Sequence, residues 1–209
     1  MKNIVIVLLT VMTTLTVVGQ NFEGKIAYTN IYKSKKWMMS DEKLNDLMGT
    51  KQQYFIKGGD YKSITNGTWI QYTQYINKDN KIYTKLYDNE TVYWNDAALQ
   101  DDQVLKVELN KKAIEILGYK CDEVILTCKS GVQKYYFNSS IAVDSKLFSN
   151  HKFGNWFDYL KEANALPLKI IIDSEKFSME SIATEVKEMK LEGKAFELPA
   201  NCKAKKNPY

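Results

Sequence analysis

One histidine, His151 in the segment SNHKFGN, is the only imidazole in the 209-residue chain. General acid–base and nucleophilic triads need a histidine held by a carboxylate beside a nucleophile. No G-x-S-x-G elbow accompanies it, and no cysteine sits in a protease-like context. A lone loop histidine reads as a surface or packing residue, so no catalytic residue is assigned. Metal chemistry fares no better. Cys121 and Cys128 lie seven residues apart with no His or Cys at finger spacing, and zinc takes four such ligands. Asp101 with Asp102, and Asp41 with Glu42, are acid pairs in polar contexts, read as loop and helix-cap charges. No glycine-rich phosphate loop or dinucleotide fingerprint occurs. Neither a metal nor a cofactor is expected, and the chain is read as non-enzymatic.

The thiols admit two readings. If residues 121–128 form one strand, Cys121 and Cys128 face opposite ways and lie roughly 20 Å apart. A disulfide needs Cα atoms within about 7 Å. In an oxidising compartment Cys121 would then meet Cys202, fastening the C-terminal segment to the sheet. The alternative is three reduced, buried thiols.

Aromatic residues are the remaining signal. Trp69, Tyr72, Tyr75, Tyr83, Tyr87, Tyr93 and Trp94 crowd three neighbouring strand candidates. Trp156 lies in a later segment expected to pack on the sheet. In one reading a curved sheet holds an apolar ligand on its concave face, under a pliable Met-rich cover carrying Trp37, Met38, Met39 and Met48. In the other these rings form an ordinary core and a wet aromatic surface. Both stay open on the sequence.

The elements that would position these residues follow from patterning. Lys2 precedes an apolar run at 4–18 broken only by threonines, with Val17 and Gly19 at −3 and −1 of a cut before Gln20. That is an export signal at 1–19, shorter than the roughly 20 apolar residues of a comfortable bilayer span. No cysteine adjoins the cut, so the mature chain is expected to be released, without a stable membrane anchor, as a periplasmic or secreted monomer. Net charge is only +4, and lysines are scattered among acids; this excludes a nucleic-acid stripe.

Residues 20–202 then read as one mainly β domain with a few helices, followed by a flexible tail at 203–209. FEGKIAYTNIYK is a first strand. Ser40, Asp41 and Glu42 open a helix stapled by Met39 and Leu44 and ended by Gly49. Short, evenly spaced strands separated by GGD, NGT, NKDN and DNE follow, the mark of an antiparallel sheet or barrel. Lys129, Ser130 and Gly131 turn a later hairpin. The segment SMESIATEVKEMKLE reads as a strand with Ile182, Thr184 and Val186 on one face and a bulge near Glu188. A helix is its rival.

Several pieces together resemble a known group. FEGKIAY after the signal, KGGDYKS, ILGYKCDEV, YYFN, NALPLKI and ATEVKEMKLEGKAFELPAN occur in order over most of the mature chain. The family's Leu-Gly-Tyr-Lys-Cys segment falls at 117–121 and its Phe-x-x-Pro motif at 196–199. The chain thus resembles an exported Bacteroidota family of unknown function, similar to the LolA/LolB lipoprotein carriers. The resemblance implies a strongly curved antiparallel sheet, or incomplete β-barrel, with helices covering its open side. It further implies a cavity for acyl chains, hence a lipid or other lipophilic small molecule as partner. An envelope protein docked on the aromatic sheet face is the alternative. The cavity arginine of lipoprotein carriers and the lipid anchor of LolB have no counterpart identified in this chain.

Overall fold

The computed structural model describes residues 21–36 and 39–208. The expected signal at 1–19, and the roles given to Trp37 and Met38, fall outside the described residues. Along the chain run β1 (Gly24–Ser34), α1 (Asp41–Met48), β2 (Lys51–Lys57), β3 (Asp60–Thr65), β4 (Ile70–Ile76), β5 (Lys81–Leu86) and β6 (Val92–Asp96). The second half supplies β7 (Val104–Ile116), β8 (Tyr119–Cys128), β9 (Gly131–Ala142), α2 (Trp156–Ala163), β10 (Ala165–Ser174), β11 (Phe177–Glu188) and β12 (Ala204–Lys206). All twelve strands join one sheet in the order β12-β6-β5-β4-β3-β2-β1-β11-β10-β9-β8-β7. Two meanders meet where β1 pairs antiparallel with β11, and only β12 runs parallel to its neighbour, β6. The expected mainly β, antiparallel sheet with few helices is what forms.

Curvature follows from what one segment touches. Residues 145–163, two short 3₁₀ turns and α2, lie in the bend of the sheet. Tyr75 on β4 and Tyr135 on β9 stand six places apart in strand order, roughly 30 Å in a flat sheet. Yet a column of rings joins them: Tyr75 to His151 at 4.4 Å, His151 to Trp156 at 6.5 Å, Trp156 to Tyr159 at 5.6 Å and Tyr159 to Tyr135 at 4.2 Å. The sheet must curl to make these contacts. Ile26, Ile56, Val124, Leu126, Leu160 and Leu168, all fully buried, pack around the column. Each such aliphatic side chain contributes about 1.5–3 kcal/mol on burial.

The loop before β7 fastens this plug. The Ala97 carbonyl accepts from the amides of Lys152 and Phe153, and Asp101 accepts from that of Gly154. Asp102 accepts from Ser130. The acid pair is therefore a mooring point. Buried Asn155 donates its side-chain amide to Cys128 Sγ at 3.3 Å.

Three expectations change. The tail is not loose at 204–206: β12 adds to the sheet edge, with the Val92 amide donating to Lys203 and the Asn207 amide to Trp94. The strand at 177–188 forms, but its register shift falls at Thr184, between the pairs Ala27 with Glu185 and Tyr28 with Ala183. This extra residue places Ala183 and Val186 opposite the inward Tyr28 and Ile26, leaving Ile182 on the other face. Third, Cys121, Cys128 and Cys202 are all free. Cys121 is buried in β8, next to one edge of the sheet. Cys202 lies near Tyr72 and Tyr83 of β4 and β5, toward the opposite edge, so no Cys121–Cys202 bridge forms.

His151 belongs to the plug. It is 2% exposed, and its Nε2 is 2.8 Å from Tyr61 Oη. Burial pushes its pKa down from 6.5 to about 4. Folding thus favours the neutral ring, whereas the unfolded chain takes up a proton below about pH 6.5. Stability should fall as pH drops from about 6.5 towards 4, by about 3 kcal/mol, and the loss should level off below that. Denaturant titrations of the wild type and His151→Phe across this range should differ by that slope; parallel curves would show that the ring does not set it.

Candidate functional site

At the other end of the bend the construction begins with a turn. The last carbonyls of a helix lack intrahelical partners. Those of α1 are taken up by the turn after β3: the Thr68 amide donates to Asp46 at 2.9 Å and the Trp69 amide to Leu47 at 3.2 Å. Asn66 Oδ1 accepts from the Lys51 amide at 2.8 Å. Gly67 makes the approach feasible, because a Cβ there would lie 2.4 Å from the Leu47 carbonyl oxygen and 2.6 Å from the Gly49 amide. On the helix side Ser40 Oγ accepts from the Lys43 amide, and Asn45 holds both the amide and the carbonyl of Tyr32 in β1. The Asn-Gly-Thr turn and the helix end are thereby locked together, and Trp69 is fixed beside Met48.

Two hollows share the Trp69 ring, which is 48% exposed. The first, about 390 Å³, is walled by Met39, Leu44, Leu47, Met48 and Trp69. The second, about 400 Å³, is walled by Trp69, Ile70, Thr84, Leu86, Tyr93, Asn207 and Pro208. Both volumes fall within the usual range of small-molecule sites. Among the described residues no charged side chain lines either one. The expected helix staple of Met39 and Leu44 frames the first. The C-terminal strand carries Asn207 and Pro208 to the second, which is why no reading of the tail as loose could find them.

A polar row leads inward from the second hollow. Tyr54, Ser63, Thr73, Thr84 and Tyr93 are directly opposed across β2 to β6, and so share one face. The next row, Ile56, Tyr61, Tyr75 and Ile82, lies against the plug. Gln52 donates to Ser63 Oγ at 2.9 Å and accepts from Asn30 at 3.3 Å. Tyr54 Oη, Asn30 Oδ1 and Ser181 Oγ are buried without a hydrogen-bond partner among the described residues. Burial of that kind carries a cost of about 1–3 kcal/mol per group. These groups escaped the sequence reading because single polar residues in strands look like solvent-facing positions.

The sequence-derived site residues divide into separate places. Met48, Trp69 and Tyr93 line the hollows, and Tyr87, exposed, ties its amide to the Trp69 carbonyl. Tyr75 and Trp156 belong to the plug column and line neither hollow. Tyr72, Tyr83 and Trp94 lie on the outer face. Tyr83 pairs with both Gln74 and Trp94 there, and Gln74 donates to the Phe196 carbonyl of the C-terminal segment. Lys62 sits over the Tyr72 ring and Lys81 over that of Trp94. Strand alternation accounts for the division: neighbours in sequence point to opposite faces.

Among the described residues no group of three or more His, Cys, Asp or Glu is arranged to hold a metal. No helix there is long and apolar enough to cross a membrane.

No protein-family model matches the chain, and no curated protein does. Among solved structures it is similar to a LolA superfamily protein from Nitrosomonas europaea. That likeness has 8% identity and a TM-score of 0.38, covering 85% of this chain and 91% of the other. It is also similar to the Mycobacterium tuberculosis lipoprotein LppX, at 10% identity and a TM-score of 0.32, covering 78% of this chain and 85% of that one.

The Gly67 contact yields a test. Gly67→Ala should force the turn away from α1, costing about 1–3 kcal/mol as other overpacking changes do. Thermal unfolding would register the loss, and tryptophan emission would shift as Trp69 leaves Met48. An unchanged melting temperature would mean that the turn and helix are not locked through this glycine.

Proposed function

We propose that this chain is a non-enzymatic, exported binding protein that takes a lipophilic ligand in the paired hollows on either side of Trp69. One observation carries the reading: two hollows of about 390 and 400 Å³, lined by no charged side chain among the described residues, share a half-exposed tryptophan. An apolar ligand gains about 25 cal/mol for each Å² it buries there. The methionines and leucines of α1 adapt to chains of varied shape. The polar row beside the second hollow suits a neutral head group such as a hydroxyl or an amide. An ionised one would meet no opposite charge among the described residues of those walls.

The plug restricts where such a ligand sits. The middle of the half-barrel, where the family resemblance implies a cavity, is filled by Tyr61, Tyr75, Phe148, His151, Trp156 and Tyr159. The ligand belongs at the rim beneath α1. This filling also supports a second reading, a structural protein of the cell envelope that docks a protein partner. Its face would be the outer one, where Tyr72 and Trp94 are paired with lysines.

Fluorescence titration with a long-chain monoacylglycerol carrying an uncharged fluorophore separates the two. Saturable binding is expected, weakened about tenfold by Trp69→Ala and left unchanged by Trp94→Ala on the opposite face. Absence of saturable binding to this and to a fluorescent fatty acid would dismiss the carrier reading. Equal losses in both variants would move the site away from the hollows.

A further inference from the structure

The two edges of the sheet are protected very differently. Exposed strand edges pair with other chains unless they are short, charged, bulged or covered. At one end β12 is three residues long, and two of them are Lys205 and Lys206. At the other end β7 runs for thirteen residues without proline or glycine, and no strand among the described residues pairs with its outer side. It exposes Leu105, Val107 and Leu109 at 59%, 37% and 45%. Val107 and Leu109 stand opposite buried Leu126 and Val124 of β8, so their row faces the concave side. Register shifts at Val104/Lys106 and at Asn110/Ile114 bracket the regularly paired stretch Lys106–Asn110, and Leu105 is the extra residue of the first shift.

From that extra residue the chain reads Leu-Lys-Val-Glu-Leu over 105–109, and this segment is its own antiparallel complement. A two-fold axis through Val107 sets Lys106 of one copy across from Glu108 of the other, twice. It also sets Leu105 across from Leu109, twice. An isologous contact requires this self-complementarity, and opposite-charge and apolar cross-strand pairs are what stabilise antiparallel neighbours. Within one chain Lys106 and Glu108 already form an ion pair of 2.9 Å on the face opposite Val107. In the pairing both would keep a partner on that face.

We propose that β7 is a docking edge for a second copy of this chain, joining two sheets edge to edge about Val107 into a dimer. The monomer expected from the sequence would then be its dilute form. The contact is short, so association is weak, and it leaves the Trp69 hollows near the opposite edge open.

Sedimentation equilibrium of the mature chain from about 5 to about 500 µM tests this, because small interfaces associate in that range. A reversible monomer–dimer equilibrium is expected. Lys106→Glu alone and Glu108→Lys alone each place like charges across the axis, and each should weaken association about tenfold or more. The double variant K106E/E108K restores opposite charges and should return association to within about threefold of wild type. Circular dichroism of each variant should be unchanged, since all these side chains are exposed. A monomer throughout the range overturns the proposal. So does a dimer indifferent to the single changes, or one that the double variant fails to recover.

Discussion

A column of aromatic rings crossing the bend of the sheet is the contact on which the rest of this structure leans. Intrinsic twist bends a large sheet without fixing how far it folds back, and a contact across the bend must set that angle. Tyr75, His151, Trp156, Tyr159 and Tyr135 supply that contact. Offset rings a few ångströms apart gain beyond their buried area, and they do so here only if β4 and β9 approach the same plug. The plug in turn is held from the side by Ala97 and Asp101 in the loop leading to β7. Register shifts in β1/β11, β9/β10, β4/β5 and β7/β8 bend the strands locally, and residues 145–163 hold the resulting curl.

This explains what could and could not be read from residue order. The β-rich class was legible because alternation, turn residues and spacing act locally: the Lys129–Ser130–Gly131 turn, the Ser40 cap and the Gly49 stop all lie where their chemistry predicts. Faces were less legible. Tyr72 and Tyr75 are three residues apart on one strand and so point to opposite sides, and only the β4 register shift near Ile70 decides which nearby residues follow which face. The bulge at Thr184 did the same to Ile182 and Ala183. Long-range pairing was not legible at all. The addition of β12 to β6 joins residues more than a hundred positions apart through backbone groups, which leave no mark on side-chain pattern. For the same reason the free state of Cys121 and Cys202 depends on which edges of the sheet they occupy.

Polar residues inside the curl follow a consistent logic. Where the plug covers the sheet, the inward row is Ile56, Tyr61, Tyr75 and Ile82, and the one imidazole there is kept neutral by burial. One row closer to α1, beyond the plug's reach, the inward residues become Tyr54, Ser63, Thr73 and Thr84. Within this row the Tyr54 hydroxyl is buried without a partner among the described residues, which is costly, whereas Ser63 accepts from Gln52. Polar groups beside an apolar hollow are what the proposed ligand, with both kinds of surface, would meet.

The two ends of the sheet then acquire separate roles. At the β12 end the C-terminal segment crosses the outer face, donates and accepts through Val92 and Trp94, and brings Asn207 and Pro208 to the wall of a hollow. This closes the edge and completes a cavity in one step. The β7 end has no covering segment, and its apolar row continues the concave surface beyond the reach of α2. An edge that is long, free of proline and matched in charge to its own inverse is not blunted in the way β12 is. The β7 edge and the hollows beside Trp69 share no residue, so association at the one and occupancy of the other act through separate surfaces.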